Sequence, residues 1–406
     1  MERLLNNKST TWPIFLLLLF VTLSKYNLSI GFSLKIYMIF LAIVFCLYIQ
    51  DFYIRKLYGY ELLLVFFYFT YCLSGAFSKY PESSIRIILG VIIVLGSYFI
   101  MRFILEQVSI RDVELSIANV GLIFNVLSLL LYIIGLQVTG GSPTDKEITS
   151  FGLLLDRNYP RLIGLLEDPN IFLYYNTLFF CFYLTRLKGL KNSIGFLLCI
   201  ITNLLTFSRG GLVALVLVVL IYIVLEDLPR KIKMLMVSLL CLILFYITST
   251  FIQFDFDQII TSRFNDFLSD GGSGRFELWG LAIDYFISNP LIGIGAFNFS
   301  EYYAFKHSEH LYVHNTYLEI LAESGITGFL MYISFLLALF IKLIRHKLYK
   351  LKTFVPLTLI AFAFQMLSLS LIINEAFFLF LAIAFKYLHE YERKELLKHT
   401  EKDFKG

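Results

Sequence analysis

Cysteine, charge and internal repetition are all scarce in this sequence. The five cysteines, Cys46, Cys72, Cys181, Cys199 and Cys241, each lie in an apolar run, and none forms a CxxC pair. They give no basis for a disulfide framework or a cysteine metal centre, and they read as small hydrophobes packed in helices. Charged residues make up only 16% of the chain, against about a quarter in soluble domains, which excludes the ordinary soluble class. No repeat and no low-complexity tract can be found, so the matching halves of many transporters are missing. A formal charge of +4 on 406 residues says little in bulk, and no nucleic-acid partner is expected.

Apolar residues fill the space that charge leaves. They make up 58% of the chain, with 42 Phe and 26 Tyr, and the mean hydropathy is +0.76. An all-α integral membrane protein follows, because only helices can bury long apolar runs in hydrocarbon with every backbone group satisfied. About 12 spans can be marked against a hydrocarbon core of ~30 Å. They fall at 12–24, 33–50, 60–77, 86–103, 117–136, 168–185, 194–207, 211–225, 234–253, 316–341, 354–372 and 375–388. The amino-terminal stretch "MERLLNNKSTTWPIFLLLLFVTLSKY" lacks a small-residue cleavage site and reads as a retained first helix.

Basic residues set the orientation. With the amino terminus inside, the inner segments hold Arg3 and Lys8, Arg55 and Lys56, Arg102 and Arg111, then Arg186, Lys188 and Lys191. Further along they hold Arg230, Lys231 and Lys233, then Lys342, Arg345, Lys347, Lys350 and Lys352, and the basic residues of the tail. Both ends are therefore expected in the cytoplasm. The layout divides into nine spans over 1–253, an outer segment over 254–315, three spans over 316–388, and a charged helical tail over 389–406. A second outer segment, 137–167, interrupts the first block. Outer loops of this length are usually functional or disordered, and the aromatic content of 254–315 favours order.

Arginines are rare on the outer side, which makes those that remain informative. Arg209 stands in "TFSRGG" between two spans, where a boundary arginine is costly unless paired or used. The alternative is a hairpin cap with a snorkelling side chain. Arg275 stands in "GSGRFELWGLAIDYF". Ser273 or Gly274 can cap a helix that starts there and lays Phe276, Trp279 and Ile283 on an apolar stripe along the membrane surface. Arg263 is a third cation, with a surface ion pair to Asp266 or Asp270 as its alternative. Converging arginines suit a pyrophosphate, because the guanidinium fork matches phosphate oxygens and stays charged.

His314 opens "HNTYLEILAESGITGFL", where a polar stretch runs into an apolar helix. Its imidazole can accept a proton near neutral pH. Glu319 and Glu323 can orient it or simply meet polar partners inside the bundle, and with Asn315 they are candidate substrate-binding groups. His307, His310 and His314 are spaced to share a helix face, but no acidic or cysteine ligand completes a zinc site. Asp168 and Asn170 lie in "EDPN", where Asp168 fits an N-cap, Pro169 fits the first helical turn, and a carboxylate comes to the outer mouth.

Taken in order, "EDPN", "FSRGG", "GSGRFELWGLAIDYFISNPLIGIGAFNF" and "HNTYLEILAESGITGFL" resemble the O-antigen ligase and O-antigen polymerase family of bacterial membrane glycosyltransferases. The resemblance covers roughly residues 160–335. It implies a type C glycosyltransferase fold in the bacterial inner membrane with an active site on the outer face. It also implies a donor glycan on undecaprenyl pyrophosphate and an acceptor that is another lipid-linked repeat, lipid A core or protein. Arg209 and Arg275 match the family's pyrophosphate-binding arginines, and His314 matches its proposed general base. Carry-over to Arg263 and Asp168 is weaker. No cofactor and no metal is implied. Membrane lipids and other polysaccharide export proteins are the further partners the family allows. The family's site residues are common to both activities; "EDPN" and the Phe- and Tyr-rich spans put the polymerase first, with the ligase second. A lipid-linked glycan transporter is a reading of another class, which the large one-sided loop makes less natural.

Overall fold

The computed structural model describes residues 11–29, 32–140, 147–156, 159–225 and 274–403, with isolated positions between 225 and 274. Arg263 and all but three residues of the expected span 234–253 lie outside the described residues.

The first part of the chain is a run of apolar helices: α1 (Trp12–Thr22), α2 (Ile36–Leu47), α3 (Gly59–Ser74), α4 (Pro81–Gln107), α5 (Ile110–Thr139), α6 (Pro169–Leu184), α7 (Leu190–Leu205) and α8 (Arg209–Leu225). Later come α9 (Arg275–Ser288), α10 (Phe299–His307), α11 (Thr316–Arg345), the single turn α12 (Leu348–Leu351), α13 (Phe354–Gln365) and α14 (Glu375–Asp403). Among the described residues four helices, those beginning at Gly59, Pro81, Ile110 and Thr316, are long and apolar enough to cross a membrane. Shorter apolar helices such as α1 and α13 reach only about 16–18 Å at 1.5 Å per residue.

Local signals explain many of the boundaries. Pro81 supplies the first turn of α4. A reciprocal capping box of Ser109 and Asp112 starts α5, and Gly140 ends it at φ 68°. In the packed bundle α3 lies along α11, α4 along α14, α1 along α5, and α13 against both α6 and α8.

Two departures from an all-α chain appear. Strands β1 (Asn27–Ser29) and β2 (Ser33–Lys35) form a small antiparallel hairpin. The segment expected as an outer loop at 137–167 holds an antiparallel sheet of β3 (Ile148–Ser150), β4 (Leu153–Asp156) and β5 (Tyr159–Leu162). A third departure concerns the apolar segment 354–372, read above as one span. The helix stops at Gln365, and residues 366–374 run as an irregular connection to α14. That connection accepts and donates hydrogen bonds to α11, which satisfies backbone groups that helix would otherwise satisfy.

Polar side chains are paired inside the bundle. Asn125, Asn176, Thr202 and Asn203 form one network that ties α5, α6 and α7 together, with the Asn176 amide donating to Asn125 and Asn203 at 2.9 Å. Arg102 on α4 donates to Glu61 on α3 at 2.7 Å, both almost fully buried, and Tyr98 donates to the same carboxylate. Such pairs fix helix register where water is absent.

Candidate functional site

The site gathers at the amino-terminal ends of several helices, where exposed N–H groups and helix dipoles favour negative charge. Asp168 caps α6 by accepting from the amides of Asn170 at 2.7 Å and Ile171 at 3.0 Å, so the structural role foreseen for it is real. Asn170 turns its oxygen to the neighbouring hairpin and accepts from Ser208 at 2.7 Å. Ser208 immediately precedes Arg209, the first residue of α8. The hairpin itself turns through Phe207 in the left-handed region at φ 52°. Gly210 lies so near the 366–374 connection that a Cβ would stand 2.6 Å from the Ser368 hydroxyl.

The same connection holds His314. Its backbone amide donates to Ser370 Oγ at 3.0 Å, and the residue itself is left-handed at φ 52°, a conformation that costs free energy outside glycine. Asn315 caps α11 through two 3.1 Å bonds from Tyr317 and Leu318. Thr316 pins the start of the helix by donating its hydroxyl to the Leu369 carbonyl at 2.6 Å. Arg275 opens α9, whose Trp279 donates to the Val313 carbonyl at 3.1 Å, so α9 is fastened directly beside His314.

Electrostatics confirms the neighbourhood. Burial lowers the His314 pKa below its ordinary value of 6.5, the Arg275 charge lowers it further, and Asp168 opposes both. An imidazole in this setting is neutral at neutral pH and available to accept a proton. Arg275 and Asp168 are thus each within electrostatic reach of His314, and the neighbours of Arg209 in the chain, Ser208 and Gly210, lie against Asn170 and Ser368.

The two glutamates of α11 behave differently. Glu323 has both oxygens engaged: one accepts from the Tyr71 hydroxyl and the other from the Phe299 amide at 3.0 Å, so it clamps α3 to the start of α10. Glu319 is equally buried, stands toward Ser370, and keeps one oxygen without a hydrogen-bond partner among the described residues.

Glycine explains the shape of the motifs. Gly325 breaks α11 at φ 63° and ψ −165°. The segment "NPLIGIG" lies against that break, with Ile294 and Gly295 donating to the carbonyls of Ala322 and Glu323 and Ile326 donating to the Pro290 carbonyl. A Cβ on Gly293 would stand 2.4 Å from the Glu323 carbonyl carbon, and one on Gly325 would stand 2.5 Å from Leu291 backbone. The two motifs are paired because their backbones touch.

One expectation changes. The three histidines do not share a helix face: α10 ends at His307, Ser308 turns left-handed, His307 stacks on Tyr303, and His310 faces Ser300. In α9 the buried positions are Leu278 and Ala282, whereas Phe276 and Ile283 of the expected stripe are exposed. Such an outward apolar face is what a helix lying on a membrane surface presents.

Three site residues were not foreseen. Arg161 on β5 donates to the Thr206 carbonyl at 3.1 Å and reaches Asn170 at 3.5 Å, and the scarcity of outer arginines was the signal that could have found it. Ser208 and Ser370 carry no such signal, because serines near span ends are common.

The sequence model of a family described as O-antigen ligase matches residues 194–333, a stretch that includes Arg209, Arg275 and His314. No curated protein matches the chain. The match over residues 194–333 supports the O-antigen ligase and polymerase family.

Proposed function

We propose that the chain is a metal-independent membrane glycosyltransferase that extends glycan repeats carried on undecaprenyl pyrophosphate, as an O-antigen or capsular polysaccharide polymerase. The observation that carries the proposal is the grouping of a neutral, half-buried His314 with Arg275 and Asp168 beside the Arg209 hairpin. An acceptor hydroxyl attacks the anomeric carbon in line. The new C–O bond forms as the bond to the pyrophosphate oxygen breaks, with inversion, and the electron pair leaves on that oxygen. His314 takes the hydroxyl proton. Arg209 and Arg275 neutralise the departing pyrophosphate, aided by the helix ends around them. Asn170 and the unpaired oxygen of Glu319 are the polar groups left for sugar hydroxyls, and Asp168 keeps the N-cap and the charge balance. Arg263, Asn315 and Glu323 complete the set of candidate substrate-side residues, Asn315 and Glu323 acting through the backbone they hold.

The ligase reading rests on a specific observation, the description of the matching family. It keeps the same donor and the same residues and changes the acceptor to lipid A core or protein. In either case the chain sits in the bacterial inner membrane with both termini cytoplasmic and the site on the outer face.

The glycan profile of a deletion strain separates the two. Loss of long chains with single repeats still on the final carrier supports the polymerase. Loss of every repeat from the carrier, with polymer accumulating on undecaprenyl pyrophosphate, supports the ligase. An unchanged profile overturns both.

A further inference from the structure

At the ends of α6 and α13 remote from His314 the helices part around a cleft of about 540 Å³. Sixteen residues of α6 separate it from Asp168, about 24 Å at the helical rise. Arg186, Lys188, Lys350 and Lys352 line it, together with Asn192 and Thr353. One carboxylate, Glu114, takes both Arg186 and Lys352 at 2.5 Å and also accepts from the Tyr387 hydroxyl at 3.0 Å. Among the described residues no carboxylate stands against Lys188 or Lys350. The cleft therefore carries surplus positive charge in a concave space, and α7 and α13 both begin beside it, adding helix N-termini.

The rim has the opposite character. Leu351, which lines the cleft, is 52% exposed, and Leu190 and Val224, each two residues along the chain from the lining residues Asn192 and Tyr222, are both 79% exposed, on a chain whose exposed apolar surface faces hydrocarbon. An occupant must satisfy a cationic pocket and an apolar border together. We infer that this cleft binds the phosphate of an anionic phospholipid, with the acyl chains lying against Leu190, Val224 and Leu351. The shared chemistry is an oxyanion held by ammonium groups. The apolar rim selects a lipid over a free anion, and basic clefts between membrane helices are suited to such head groups.

The test uses the full chain, purified and reconstituted with an equal mixture of phosphatidylglycerol and phosphatidylcholine, with retained lipid read by native mass spectrometry. Phosphatidylglycerol should be retained preferentially, and millimolar inorganic phosphate should fail to displace it. The double variant Lys188→Gln/Lys350→Gln leaves the Glu114 pairs intact and should weaken retention roughly thirtyfold, about fivefold per lysine. The arginine double variant, Lys188→Arg/Lys350→Arg, should retain the lipid. Equal retention of the two lipids, or unchanged retention in the glutamine variant, would overturn the inference. Displacement by inorganic phosphate would make the cleft a free-anion site and overturn it equally. None of these outcomes depends on the transfer chemistry proposed above.

Discussion

The backbone amide of His314 donates to the hydroxyl of Ser370, 56 residues further along the chain, at 3.0 Å. This bond anchors a left-handed residue whose side chain is the proposed base, and it makes an irregular stretch between two helices part of the site. Ser370→Ala should leave the chain folded and the donor KM little changed, while turnover drops on the order of tenfold to a hundredfold as His314 loses its fixed direction. Steady-state transfer by the purified variant checks this, and turnover equal to wild type would remove Ser370 from the positioning scheme.

Protonation supplies a second check. The folded-state pKa of His314 is lowered, so the neutral base persists below the pH at which an ordinary histidine protonates, and activity is lost only as pH falls through that lowered value. Arg275 disfavours the imidazolium, so Arg275→Gln should move the acid limb of the pH–rate profile to higher pH. Asp168 favours the imidazolium, so Asp168→Asn should move it to lower pH. Shifts of one sign in both variants would exclude His314 as the group that titrates.

Arginine and lysine should not be interchangeable at the leaving-group end. Arg275→Lys and Arg209→Lys keep the charge and lose the planar fork, and each should reduce transfer on the order of a hundredfold. Wild-type turnover in either variant would count against a bidentate contact at that position.

Backbone contact between motifs makes a stability prediction. Gly293→Ala and Gly325→Ala each place a Cβ within 2.5 Å of backbone atoms at a positive φ. Each should cost more than the ~1–3 kcal/mol of strained backbone alone and lower the unfolding temperature of the detergent-solubilised chain. Gly274→Ala also sits at positive φ but meets nothing within 4 Å, so its cost should stay near ~1 kcal/mol.

Much of this arrangement is legible in the residues themselves. Helices α3, α6, α8 and α11 begin within two residues of where the apolar runs place them, α4, α5 and α7 begin earlier at Pro81, Ile110 and Leu190, and "EDPN" caps α6 as its composition requires. Arg275 does open a helix. The failures have a common cause. Window-averaged hydropathy cannot see that "MLSLSLIIN" uses Ser368, Ser370 and Asn374 to hold neighbours rather than to span, because its leucines and isoleucines outweigh them. The strands near Asn27 and Leu153 are three or four residues long, too short for alternation to register against the flanking helices. The stripe of α9 reads as an apolar face along the membrane surface, and Phe276 and Ile283 are indeed exposed rather than packed inward.

The clasp at Gly325 also bears on when the site can exist. Residues 290–299 bond to the break in α11 and equally to the turn between α3 and α4, where the Asn298 amide donates to the Ser84 hydroxyl and its oxygen accepts from the Tyr80 amide. The amino-terminal third of the chain and the helix that ends beyond residue 340 must therefore both be in place before His314 is held. During synthesis the pocket is a late product of chain closure, and a nascent or truncated chain carries the reactive residues without the constellation that arms them.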